Sequence, residues 1–64
     1  DDLARLNGFK IVDQNNIEIG VVNEVLNYNQ YLAKTMVDGK EILLPLNEDT
    51  ILDIQEKKQI IYFN

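Results

Sequence analysis

The 64-residue chain has no cysteine, no histidine and no serine, a single proline and three glycines. Without cysteine there is neither a disulfide framework nor a thiolate zinc site to brace the core. Nothing points to an oxidising compartment, so a reducing cytoplasm is the expected setting. Losing histidine, cysteine and serine together removes the usual general base near neutral pH, the thiolate nucleophile and the serine hydroxyl. Carboxylates, Lys, Tyr and Thr remain. Paired-carboxylate chemistry needs two acids converging in a cleft, and so short a chain has little room for one. The expectation is a noncatalytic domain with no cofactor and no small-molecule substrate.

Long apolar runs are absent too. The longest, residues 42–46, is five residues and contains Pro45, far below the roughly 20 that span a bilayer, so a soluble protein with no membrane partner is expected. Basic residues are few: six Lys and Arg stand against eleven Asp and Glu, for a net charge of −5. Phosphate binding wants the reverse balance. An acidic domain suits a basic protein partner, because complementary fields speed encounter.

The 45% apolar content, largely Ile, Leu and Val, is that of a folded core rather than a disordered tail. A domain of this size buries only about 60% of its unfolded surface, so its stability margin is thin. The chain starts at Asp1-Asp2 without an initiating Met, and it reads as a piece of something longer.

Apolar positions do not keep a helical period over any long window, whereas short β-branched runs bounded by Gly, Asn and Asp recur. The fold class is therefore all-β. Residues 9–12 open a first strand, the Asx-rich stretch 13–16 turns the chain, and residues 17–19 resume it. Gly20 interrupts an apolar strand, which marks a bulge or bend, before 21–26 continue. After a turn at 27–30 the stretch 31–37 alternates poorly. Asp38-Gly39 then supplies the pair favoured where a two-residue turn needs positive φ twice. In the returning strand Ile42, Leu44 and Leu46 share one face, and Pro45 fits an edge or a strand end. Asn47, Glu48 and Asp49 predict one capped helical turn, and 51–55 and 59–63 form the last strands around a turn at 56–58. About five to six short antiparallel strands, with too little sequence for two sheets, predict a small closed or half-closed barrel.

Chemical motifs are weak. The stretch 13–20, DQNNIEIG, begins like a calcium loop but places Ile17 and Glu18 where a ligand and the glycine belong. Glu48, Asp49 and Asp53 are read as a solvated, capped turn rather than a metal site. Lys57-Lys58 is the only basic pair and reads as a polar turn guarding an edge, with nucleic-acid binding beside Tyr62 or Phe63 as the alternative. Tyr28 and Tyr31 flank a turn, where they either anchor a partner or cover the barrel end.

In order and spacing, the segments LNGFKIVD, IEIGVVNEVL, VDGKEILLPLNEDTILDI and QIIYF resemble the C-terminal PRC-barrel domain of the RimM family of ribosome maturation factors. Gly8, the Ile19-Gly20-x-Val22 element and the run GKEILLPL with its acidic turn carry the likeness. The resemblance implies a single PRC-type barrel over residues 1–64, the C-terminal part of a longer two-domain protein. It implies a factor that docks on the immature small ribosomal subunit, through a basic head ribosomal protein, number nineteen, and supports rRNA processing and assembly, with direct RNA contact secondary. Such factors are not enzymes. The protein-binding candidates are Leu3 and Arg5 in the leading segment, with Tyr28 and Tyr31. A stand-alone PRC-type adaptor and a direct RNA-binding barrel are the alternatives. Two departures stand out. Adjacent aromatics common before this domain are missing from 2–8, DLARLNG, and the chain stops at Asn64 without the family's Pro-Gly-Leu-like tail.

Overall fold

Turn chemistry decides where this chain reverses. In the computed structural model, which describes residues 3–64, the Asp13 carboxylate accepts the backbone N–H groups of Asn15 at 2.8 Å and Ile17 at 3.0 Å, while Asn16 takes a φ of 62°. Asp38 and Gly39 both have positive φ, 52° and 77°, and join Val37 to its partner Lys40. This is the predicted two-residue hairpin, with the glycine where a Cβ would be strained. The resulting elements are one turn of 3-10 helix, η1 (Leu3–Leu6), and six strands: β1 (Lys10–Val12), β2 (Glu18–Asn27), β3 (Tyr31–Val37), β4 (Lys40–Leu46), β5 (Ile51–Gln55) and β6 (Ile60–Phe63).

The strands make one sheet in the order β4-β3-β2-β1-β6-β5. Four of its pairings are antiparallel, as expected; β1 and β6 pair in parallel, Lys10 beside Ile60 and Val12 beside Tyr62. Parallel neighbours need a long crossover, and here β2 through β5 supply it. The sheet must then curl, and it does so at bulges. Ile19 and Asn23 are extra residues on β2, and Leu52 is extra on β5; each bends its strand and increases its twist. The ten-residue β2 thus pairs with β1 through its first part and with β3 through its second.

Consecutive strands β4 and β5 form the two edges of the sheet, so the turn at 47–50 carries the chain from one edge to the other. The barrel is not closed by hydrogen bonds there. Asn47 Oδ1 accepts the N–H groups of Asp49 and Thr50 at 2.8 and 3.1 Å, Ile51 N–H reaches Asn47 O at 2.9 Å, and the Thr50 hydroxyl donates to Pro45 O at 2.7 Å. The expected cap is present, but the turn is a single closed loop. Among the described residues the one regular helical turn is η1, too short for a periodicity to reveal, and it forms because Leu6 is fully buried and Leu3 packs beside the core. Pro45 lies on the edge strand β4, where a missing N–H is tolerated.

Leu6, Phe9, Ile11, Val22, Ala33, Leu46, Ile61 and Phe63 fill the interior. Thr35, fully buried among them, donates to the Val21 carbonyl at 2.6 Å. Gly20 lies against it: a Cβ there would sit 2.6 Å from Thr35 Oγ1 and 3.1 Å from Met36 O. The glycine serves a close approach between strands rather than an unusual φ.

Candidate functional site

Among the described residues no three acidic side chains come together as metal ligands, no pocket opens, and no buried side-chain polar atom lacks a partner.

The four predicted contact residues separate into different environments. Leu3 is half-buried against the core, and Arg5, on the same turn of η1, reaches across to Glu56 with Nη2 to Oε2 at 3.0 Å. This ion pair ties the leading segment to the β5–β6 turn. Asp2, in the leading stretch 2–8, lies outside the described residues. Tyr31 packs against the core from the start of β3, whereas Tyr28, in the turn before it, is 66% exposed. Tyr31 thus covers the barrel interior, while Tyr28 faces outward.

The lysines do not form a single basic face. Lys10 on β1 lies 3.7 Å from Glu18, Lys34 on β3 lies 3.5 Å from Glu24 and 3.7 Å from Glu41, and Lys57 and Lys58 are exposed in the β5–β6 turn. With Lys40 exposed at the start of β4, they are spread over β1, β3, β4 and the β5–β6 turn, and Lys10 and Lys34 are matched by glutamates.

A surface that the sequence reading missed lies on the outside of β2, β3 and β4. Inward positions there include Val22, Val25, Ala33, Thr35, Leu44 and Leu46. Side chains alternate along a strand, so the cross-strand register puts Leu26, Leu32 and Pro45 in one outward row and Glu24, Lys34 and Leu43 in the next; Met36 faces Glu41 beyond them. Leu43 and Met36 are each 47% exposed. The poor alternation of 31–37 was the signal: Leu32 and Met36 are apolar on the side opposite Tyr31 and Ala33, so both faces of β3 carry apolar groups.

This geometry, a strongly bent six-stranded sheet with β1 and β6 in parallel, has a counterpart among known proteins, and the chain matches the PRC-barrel domain along residues 1–64. The chain belongs to the PRC-barrel domain family. Among curated proteins, this PRC-barrel domain is similar to the ribosome maturation factor RimM of Azobacteroides pseudotrichonymphae genomovar. CFP2, 37% identical over 59 residues. That match covers 86% of the chain and 33% of the relative, so the PRC-barrel domain spans about a third of its length. Among solved structures, it superposes on a 16S ribosomal RNA processing protein RimM from Pseudomonas aeruginosa with a TM-score of 0.86. Identity there is 21%, over 100% of this chain and 43% of that one, a likeness of fold.

Proposed function

We propose that this PRC-barrel domain is the noncatalytic C-terminal part of a two-domain, RimM-like ribosome maturation factor. In this reading it helps dock the factor on the immature small ribosomal subunit by binding a basic head ribosomal protein, number nineteen, and so supports rRNA processing and assembly. The observation that carries the reading is the 37% identity to a ribosome maturation factor across nearly the whole domain. The net charge of −5 adds to it, since an acidic module attracts a basic partner and repels phosphate. Tyr28 is the anchor open to such a partner, because tyrosine offers a large rigid contact area at little entropic cost. Leu3 and Arg5, the other two candidates, sit on η1, where Leu3 packs inward and Arg5 pairs with Glu56 and so holds the leading segment in place.

Isothermal titration of purified head protein nineteen into the 64-residue chain tests this. One small barrel presents an interface at the low end of specific areas, so micromolar affinity is expected. Absence of binding at low salt would overturn the reading. A structured 16S rRNA fragment, titrated in parallel, is expected not to bind; tight binding that falls steeply with salt would make RNA the partner instead.

A further inference from the structure

We infer that the outward face of β2–β3–β4 is a docking surface for a basic polypeptide segment that presents apolar side chains flanked by Lys or Arg. The inference rests on the functional reading above and assigns it a surface.

The first ground is arrangement. Leu26, Leu32 and Pro45 are cross-strand neighbours in one row, and Leu43 and Met36 stand in adjoining rows. None of the five belongs to the interior cluster or to the residues packed on it. They come together on the outside because the register of three strands places them there. Leu43 and Met36 are exposed, with Leu26, Leu32 and Pro45 half-buried beside them; leucines scattered singly over a surface need no explanation, but apolar neighbours rimmed by polar groups mark an interaction site.

The second ground is charge, which selects the occupant. Lys34, the one cation within the patch, lies between Glu24 and Glu41 at 3.5 and 3.7 Å, so that trio carries net negative charge. Along residues 23–49 the acids Glu24, Asp38, Glu41, Glu48 and Asp49 outnumber Lys34 and Lys40. A second copy of the chain would bring an identical acidic rim and a further net −5 onto this one, and like charges across an interface oppose docking. Nucleic acid and anionic lipid meet the same repulsion. A segment with apolar anchors and basic flanks satisfies both the patch and its rim.

The experiment is amide NMR shift mapping on the ¹⁵N-labelled 64-residue chain with two probes: head protein nineteen, and a synthetic amphipathic Leu/Lys peptide. Both are expected to shift amides of 24–26, 32–36 and 41–45. Leu43→Glu and Met36→Glu should each weaken both probes at least tenfold. Leu52→Glu, at a residue 56% exposed on β5, should change affinity less than twofold. Shift dispersion of each variant reports that it is folded. If the peptide maps to this face while the head protein binds nowhere, the surface stands and the ribosomal reading fails. If the head protein binds but shifts another face, or Leu52→Glu weakens it as much as Leu43→Glu, the ribosomal reading stands and this surface is wrong. If neither probe shifts the face, the inference is overturned.

Discussion

Along β4, Leu44 and Leu46 point inward and Leu43 and Pro45 point outward, four apolar residues in succession with two different fates. Leu46 is buried and touches the interior cluster, while Leu43 keeps 47% of its surface exposed. β3 repeats the contrast, with Ala33 and Thr35 buried inside and Leu32 and Met36 outside. Apolar character therefore does not mark the core side of this half of the sheet; the direction of curl does. The inner face holds the fold together, and the outer face is left for something else.

Paired substitutions within one strand put the largest strain on that contrast. Leu46→Ala removes a buried side chain and should cost about 2–5 kcal/mol, a large part of what a domain this small has to lose. Leu43→Ala, three residues earlier, should stay within about 0.5 kcal/mol. Urea unfolding followed by circular dichroism measures both, and equal losses would erase the distinction between the faces. Gly20→Ala comes next. It drives a methyl group against Thr35 Oγ1 and the Met36 carbonyl on the inner side, an overpacking expected to cost about 1–3 kcal/mol. Because the clash is with Thr35, Gly20→Ala combined with Thr35→Ala should cost less than the two single changes summed, a coupling that a double-mutant cycle reads directly.

Smaller effects belong to positions that join the two edges or lie outside altogether. Asn47→Ala deletes the acceptor of two backbone N–H groups in the turn between β4 and β5 and should cost about 1 kcal/mol of stability, read as a lower thermal or urea midpoint. Arg5→Ala breaks the exposed pair with Glu56 and should cost roughly 0.2–1 kcal/mol at low salt, shrinking as salt is added. A loss from Arg5→Ala as large as that from Leu46→Ala would mean that η1 anchors the sheet more through charge than through Leu3 and Leu6.

Most strand limits were legible in the sequence because the turns that bound them are chemically explicit. Asp13, Asp38-Gly39 and Asn47 each satisfy or free local backbone by their own side chains or φ values, so the breaks at 13–16, 38–39 and 47–50 follow from short-range forces. Of the four contact candidates, Tyr28 and Arg5 are exposed while Leu3 and Tyr31 are half-buried; sequence cannot tell Tyr28 from Tyr31, three residues on, because burial depends on which strand end the curled sheet covers. The outer patch was hidden for the same reason. A run such as 31–37, apolar on both faces, looks merely irregular until its neighbours are known.

By itself the sequence determined an all-β chain, its reversals, the edge position suited to Pro45, and an acidic surface without the usual catalytic groups. These are local or summed properties, carried by each residue wherever it ends up. Tertiary structure alone decided that β6 returns to lie parallel to β1, that Gly20 makes room for Thr35, and that Leu26, Leu32, Leu43 and Pro45 meet on one outward face. Each of those depends on strands distant in sequence being brought side by side. The register and curl that bring them together come from the packing of the whole core, which no short stretch of sequence contains.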